Sequence, residues 1–193
     1  MALADQPKSE PVIGEDKLEQ LMQRYQAADE SAAAALITRL SPQLFRFFFA
    51  QVRDRSQAED LLQDFWLRMH HAARHTYRAG EPVLPWVYAI ARRVQTDNYR
   101  RRSRIVKHEF PGDKLPELPA TVTSSPESAN LKPSVKELLG RLPAAQRETL
   151  LLLKVAGLSL EEVARATGTS IGAVKQKAHR AYVSLRRMFG NES

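Results

Sequence analysis

Apolar residues repeat at helical spacing along nearly the whole chain, and this periodicity restricts the folds that the sequence can adopt. In the segment 57–74 they occur at intervals of three and four, at Ala58, Leu61, Leu62, Phe65, Trp66 and Met69. No segment shows the convincing alternation of apolar and polar residues that a half-buried strand requires. Glycine is also scarce, with 8 among 193 residues. The sequence therefore predicts an all-α fold.

Helix starts are indicated where a serine is followed three residues later by a glutamate, as in a capping box. Ser56, Ser134 and Ser159 each begin such a pattern ahead of an apolar stripe. Helices are predicted from Asp16 to about Tyr25 and over about 30–53, 57–74, 84–102, 134–141, 143–155, 159–166 and 170–188. A break or kink is expected at Ser41-Pro42, and C-terminal caps at Gly157 and Gly168.

Composition divides the chain into four parts. Residues 1–15 include two prolines and little that could pack, which favours a flexible tail. Residues 104–132 contain four prolines, two adjacent serines and scattered charges, which predict a flexible linker. The sequence thus predicts two small helical domains, 16–103 and 133–190, joined by this linker.

The net charge favours a polyanionic partner. The formal charge is +7, which suits nucleic acid first and an anionic membrane surface second, although a basic protein without such a partner also fits. The absence of cysteine excludes disulfides, thiolate zinc sites and thiol catalysis. No Gly-rich phosphate loop and no nucleophile with a base partner is found. We therefore expect no enzyme activity and no cofactor.

Two further features bear on location and metal binding. The N-terminus lacks the order of a signal peptide, and the longest aliphatic run, 150–153, is too short to span a bilayer, so we expect a cytoplasmic protein without membrane insertion. His70, His71 and His75 cluster, and the last two lie one helical turn apart, as metal ligands can. Without a cysteine or a third ligand, exposed histidines are the alternative, and we predict no metal site.

The segment 159–188 has the order of a helix-turn-helix: two amphipathic stretches around Thr-Gly-Thr. Its inner face is expected to consist of Leu160, Val163, Ala164, Ile171, Val174, Ala178, Ala181 and Leu185. The second stretch has no acidic residue, and its outer side and flanks carry Ala173, Lys175, Gln176, Lys177, His179, Arg180 and Arg187. Arg180 can address guanine and Gln176 adenine in a major groove. DNA binding is predicted, and a surface helix that is merely basic is the alternative.

Two surfaces of the first domain are also distinctive. Between Arg92 and Arg104 the chain has six arginines and one acid, Asp97, more positive charge than a helix end needs. This indicates a surface that follows phosphates. The predicted helix 57–74 has a mixed acidic outer side formed by Asp60, Gln63, Asp64 and Leu67. That side is either solvated surface or a docking face for a second protein.

Three segments resemble the sigma factors of bacterial RNA polymerase, in the small extracytoplasmic-function group of the sigma-70 family. They read QAEDLLQDFWLRMH, LPWVYAIARRVQTDNYRRR and LGRLPAAQRETLLLLKVAGLSLEEVARATGTSIGAVKQKAHRA. The similarity covers about 16–190 apart from the linker. It implies that the first domain docks on the clamp helices of the largest subunit of the polymerase core and opens the −10 element, and that the second reads the −35 element. It also implies an anti-sigma factor that inhibits the protein until a stress or envelope signal arrives.

The resemblance implies a role for each set of residues. The polymerase-binding set is Asp60, Gln63, Asp64 and Leu67. The −10 set is Arg78, Arg92, Arg93, Asp97, Arg100 and Arg101. The −35 set is Ala173, Lys175, Gln176, Lys177, His179, Arg180 and Arg187. Residues 75–84 resemble the loop that captures an unstacked −10 base.

Three residues of the first domain have more than one interpretation. Phe65 lies in the polymerase-binding segment, yet its place on the inner stripe also fits the core. Trp86 could stack on a base or anchor the core. Arg93 stands where the family commonly has an asparagine that in some members walls the base pocket, so the preferred −10 base could differ.

The linker gives a physical constraint on promoter binding. The two promoter elements are centred about 25 base pairs apart, roughly 85 Å at about 3.4 Å per pair. A coil of this length reaches that distance only when it is held extended. We therefore expect weak promoter binding by the protein alone. The alternatives are a free-standing helix-turn-helix transcription regulator, which should bind DNA alone, and an interaction protein that recruits partners without DNA.

Overall fold

The structure is a computed structural model that describes residues 17–109 and 135–190, with side chains for 17–104 and 137–189. These residues form eight α-helices and no strand, which confirms the all-α prediction. The helices are α1 (Leu18–Gln26), α2 (Glu30–Val52), α3 (Arg55–His75), α4 (Val83–Glu109), α5 (Val135–Arg141), α6 (Ala144–Lys154), α7 (Leu160–Thr167) and α8 (Ile171–Gly190). The predicted tail 1–15 and positions 110–132 of the predicted linker lie outside the described residues.

The helix starts show which of the predicted capping boxes form. Ser159 accepts a hydrogen bond from the Glu162 N–H at 3.2 Å, and the carboxylate of Glu162 accepts one from the Ser159 N–H at 2.8 Å, so this box is confirmed. The box predicted at Ser56 is wrong, because Asp54 precedes the helix and its carboxylate accepts from the N–H of Gln57 at 2.8 Å. An aspartate caps as well as a serine and adds a favourable charge at the helix start. The side chain of Ser134 lies outside the described residues.

Helix α2 continues through Pro42, so a break at this point is wrong, while the alternative of a kink stays a prediction. Proline removes one backbone hydrogen bond of a helix and crowds the preceding turn. Here Leu40 and Leu44 are buried on either side of the proline, and the indole N–H of Trp66 donates to the hydroxyl of Ser41 at 3.1 Å. Packing against α3 therefore holds both halves of α2 in one helix.

Helix α4 is longer than predicted. It ends at Glu109 rather than near 102, so that 104–109 are helical and not linker. The sequence from 102 to 109 contains neither glycine nor proline, and Pro111 follows shortly afterwards. Because a residue before proline disfavours helical geometry, the helix stops close to this point.

The helices form two units whose apolar interiors meet. In the first unit, α1 to α4 surround fully buried aromatic side chains that include Phe47, Phe65 and Tyr88. In the second unit, α5 to α8 bury leucines of α6 and the inner faces of α7 and α8. Helix α4 packs against α7, and α2 against α6, so one continuous cluster of buried side chains crosses the boundary. In this structure the two units are therefore in direct contact.

The turn between α7 and α8 has the expected glycine cap. Gly168 has a φ of +64° and ends α7, while the N–H of Thr169 donates to the carbonyl of Ala164 at 3.0 Å. On α8, Val174, Ala178 and Ala181 are buried, as predicted. Ile171 was expected on the inner face but is 39% exposed, because it lies at the first position of α8 and borders the turn rather than the core.

The described helices include none with the length and apolar character needed to cross a membrane.

Replacing Gly168 by alanine is expected to destabilise the second unit. The left-handed backbone at this position costs a residue with a Cβ about 1–2 kcal/mol. We expect Gly168→Ala to lower the thermal unfolding midpoint by several degrees. Gly172→Ala is the matched control, because Gly172 lies within α8, lacks a positive φ, and a Cβ there would make an ordinary contact with the Ser170 hydroxyl at 3.9 Å. Equal midpoints for the two variants would contradict the importance of this cap.

Candidate functional site

The outer side of α8 carries several hydrogen-bond donors, and no acidic residue lies among them. Its buried side holds it against α6 and α7 through Val174, Ala178 and Ala181. The predicted −35 residues that are exposed are Lys175, Gln176, His179, Arg180 and Arg187, whereas Ala173 and Lys177 are half-buried. The start of α8 is capped by Ser170, whose hydroxyl accepts from the N–H of Ala173 at 3.2 Å. The helix is therefore fixed by its apolar side while its cationic side stays open.

The exposed cations of α4 form a stripe along one side of the helix. Arg93, Arg100 and Arg104 are exposed and recur at intervals of seven and four residues, and Arg101 lies beside them. Arg104 belongs to this stripe by position, although it was not in the predicted −10 set. Arg78 is also exposed and lies in the loop between α3 and α4.

Asp97 stands within this stripe as a paired carboxylate. Its side chain accepts a hydrogen bond from Arg68 of α3 at 2.5 Å. That hydrogen bond lowers the pKa of Asp97 below its ordinary value, with further contributions from the charges of Arg100 and Arg93. The Arg68–Asp97 ion pair links α3 to α4, so Asp97 has a structural role beside its predicted contact with DNA.

Arg92 lies on a different side of α4, about 100° from the stripe. Its Nε and Nη2 donate to the two carboxylate oxygens of Glu148 at 2.7 and 3.2 Å, and its Nη1 donates to the carbonyl of Ala166 at 3.0 Å. Both ionic side chains are largely covered, with 27% of Arg92 and 20% of Glu148 exposed. Arg92 is thus separated from the other predicted −10 residues. Glu148 lies 56 residues away along the chain and carries no sequence signal for this contact.

The outer side of α3 is open in the way the sequence predicts. Asp60 and Gln63 are exposed, Asp64 is half-buried, and Leu67 is 67% exposed. Phe65, by contrast, is completely buried, which confirms its core interpretation and removes it from any docking face. An exposed leucine between polar and acidic side chains suits contact with another protein better than contact with DNA.

Trp86 is anchored rather than free. It is half-buried and packs against the core, with its ring centroid 5.3 Å from that of Tyr77. Its indole N–H donates to the hydroxyl of Thr76 at 3.1 Å. These contacts favour the core interpretation of Trp86 over a stacking platform.

The three clustered histidines are all exposed. The Nδ1 of His70 hydrogen-bonds with the hydroxyl of Tyr25 at 2.6 Å, so His70 joins α1 to α3. Within residues 17–109 and 135–190, no three histidine, aspartate or glutamate side chains are grouped so that they could hold a metal ion.

Comparison with protein families finds two matches that correspond to the two units. The model described as Sigma-70 region 2 matches residues 36–105, and the model described as Sigma-70, region 4 matches residues 133–185. The first match covers all of α3 and most of α2 and α4, and the second covers the helix-turn-helix.

Curated relatives cover most of the chain. The RNA polymerase sigma factor CarQ of Myxococcus xanthus is 30% identical over 169 residues, which span 88% of this chain and 95% of that protein. The ECF RNA polymerase sigma factor SigD of Mycobacterium tuberculosis is 32% identical over 179 residues, which span 89% of this chain and 83% of that protein. Both are therefore similar to this chain in both of its units.

Two solved structures share the fold. The structure of CnrH in complex with the cytosolic domain of CnrY matches with a TM-score of 0.69 and 20% identity, covering 92% of this chain and all of that one. The sigma factor RpoE of Bartonella quintana, in complex with the anti-sigma factor NepR, matches with a TM-score of 0.62 and 25% identity, covering 80% and 94%.

Removing the guanidinium of Arg68 is expected to raise the pKa of Asp97. Because the hydrogen bond from Arg68 is the largest cause of the lowered pKa, Arg68→Gln should return it towards the ordinary aspartate value. NMR titration of the side-chain carboxyl groups measures this directly. Asp29 is the internal control: hydrogen bonds from Ser31 and then Arg24 lower its pKa to about 2, and it should not change. An Asp97 that titrates at the same pH in both proteins would refute the pairing.

Proposed function

The chain belongs to the sigma-70 family of bacterial RNA polymerase sigma factors, in the extracytoplasmic-function group, and we propose that its three exposed surfaces divide the work of promoter recognition. The open outer side of α8, cationic along its length and fixed from behind by its apolar side, is the observation that carries this proposal. Sigma factors are not enzymes, and we propose that this chain acts on polymerase and DNA by binding alone, in the cytoplasm and without a cofactor.

The second unit would read the −35 element with α8. The exposed donors Arg180 and Gln176 lie on one side of the helix, one turn apart, which suits contact with neighbouring bases in a major groove. Lys175 and Arg187 flank them and are placed to meet phosphates. The half-buried Ala173 and Lys177 would contribute at the edge of this surface.

The first unit would contact the −10 region through the stripe of Arg93, Arg100 and Arg101 together with Arg78. A stripe of arginines follows a phosphate backbone without discriminating between sequences. Arg93 replaces the asparagine usual in the family, which gives this chain one more cation at that position. Asp97 is paired with Arg68 and would position the stripe rather than bind DNA.

The outer side of α3 would dock on the clamp helices of the polymerase core. This assignment is supported by the exposure of Asp60, Gln63 and Leu67 and by their separation from the arginine stripe. Because the carboxylates would repel DNA, the acidic side and the cationic side of this unit suit different partners.

We also propose that an anti-sigma factor inhibits this protein. The solved relative RpoE was captured with the anti-sigma factor NepR, and it matches 80% of this chain. A partner of this kind would have to cover a surface that polymerase needs, which the exposed α3 side provides.

Asp60→Ala is expected to weaken binding to core polymerase without loss of folding. The exposed carboxylate makes no hydrogen bond or ion pair among the described contacts, so its removal should leave the helix intact. We expect the dissociation constant for core polymerase, measured by surface plasmon resonance, to rise about tenfold, as for the loss of one well-placed interface charge. The adjacent Glu59→Ala is the control, since Glu59 is also exposed but pairs with Arg55. Unchanged binding of Asp60→Ala would count against docking through this surface.

Arg180→Ala is expected to weaken discrimination at the −35 element. A bidentate contact with guanine contributes about 1–3 kcal/mol of discrimination against the wrong base. Transcription from the preferred promoter should therefore fall, whereas transcription from promoters that lack the contacted −35 base should fall less. Competitive run-off assays on a panel of −35 variants measure the difference. Arg186→Ala removes the same charge from another side of α8 and should lower transcription from all promoters to the same extent. The same −35 preference in Arg180→Ala as in the unmodified protein would reject the base contact.

A further inference from the structure

Beside the apolar contacts that cross the boundary, one arginine forms hydrogen bonds between the two helical units. Arg92 of α4 belongs to the first unit, whereas Glu148 of α6 and Ala166 of α7 belong to the second. A single guanidinium therefore makes three hydrogen bonds across the boundary, two of them to the two oxygens of one carboxylate. This fork geometry is the strongest form of an arginine pair and is sensitive to orientation.

The contact with Ala166 adds to the ionic pair. Ala166 lies in the last turn of α7, where carbonyl groups lack partners within the helix and carry the negative end of the helix dipole. Arg92 thus satisfies one such carbonyl and neutralises Glu148 at the same time. Both groups would need water or another donor once the units separate.

Apolar side chains from both units surround the Arg92–Glu148 pair, and they shield it from solvent only while the two units are in contact. Ala91 beside it on α4 is fully buried, and Val163 and Ala166 of α7 are buried in the same cluster. Partial coverage reduces screening by solvent and salt, so the pair holds the units together more strongly than an exposed pair could. The set of Arg92, Glu148 and the carbonyl of Ala166 is referred to below as the Arg92 latch.

We propose that the Arg92 latch holds the free chain closed and must open before both units engage one promoter. A compact chain of this length is roughly 40 Å across, whereas the two promoter elements lie roughly 85 Å apart. The closed form therefore cannot contact both elements at once. The consequence for promoter binding rests on the proposed function, whereas the latch itself can be tested in the free chain.

The latch assigns Arg92 a role different from the other predicted −10 residues. In the closed form its guanidinium is engaged with the second unit and is withheld from DNA. The recognition side of α8 and the arginine stripe of α4 stay exposed, so closure limits the distance between the two DNA-binding surfaces and covers neither of them.

Energy transfer between two dyes tests the latch in the free chain. The chain has no cysteine, so dyes can be attached at Gln23→Cys in the first unit and Ala145→Cys in the second, both at exposed positions. We expect high transfer for the otherwise unmodified protein. Glu148→Ala should increase the open fraction about tenfold, because hydrogen bonds to charged groups are lost, and should lower the transfer.

Two further variants separate the latch from general loss of folding. Arg92→Glu should also open the chain, and its combination with Glu148→Arg should restore most of the transfer. Glu161→Ala removes an exposed carboxylate of the second unit and should leave transfer unchanged. Low transfer in the unmodified protein, unchanged transfer in Glu148→Ala, or no recovery in the combined variant would each overturn the proposal.

Binding to core polymerase is measured separately on the same proteins. If core polymerase holds the two units apart, the free energy needed to open the latch lowers the affinity for core. Glu148→Ala should then bind core more tightly than the unmodified protein, and equal or weaker binding would contradict this cost of opening. Failure of the unmodified protein to bind core would instead refute the proposed function. It would leave the energy-transfer result for the latch standing.

Discussion

The packing of α4 against both units is the contact on which the rest of the structure depends. Because successive helical residues differ by about 100° in direction, the three neighbours Arg92, Arg93 and Val94 face three different surroundings. Arg92 reaches the second unit, Arg93 is exposed in the cationic stripe, and Val94 is buried in the first core. One helix therefore supplies the boundary between the units, an exposed cationic surface and part of the hydrophobic core.

This arrangement explains how a small protein can present several surfaces without having them interfere. The acidic side of α3 and the cationic stripe of α4 belong to the same unit, yet the Arg68–Asp97 pair joins the two helices between them. The cationic side of α8 belongs to the other unit, and the apolar side of the same helix packs against α6 and α7. Charge is thus segregated by helix face, which lets a protein partner and DNA be recognised together.

Much of the fold follows from local patterns, whereas the boundary between units does not. Helical periodicity predicts the burial of Phe65, and the capping box at Ser159 predicts the start of α7, because both depend on residues within two turns. The continuation of α2 through Pro42 is accompanied by a hydrogen bond from Trp66 of α3, and the partner of Arg92 lies 56 residues away. Such contacts are decided by tertiary structure, which periodicity and propensity do not encode.

We infer that the two small DNA-binding units recognise a promoter only when polymerase sets the distance between them. Run-off transcription with purified core polymerase and a promoter library randomised around both elements measures this directly. We expect transcripts only when core and this protein are both present, with enriched sequences at two positions about 25 base pairs apart. Tight, sequence-specific footprinting by the protein alone, together with no core-dependent transcript, would contradict it.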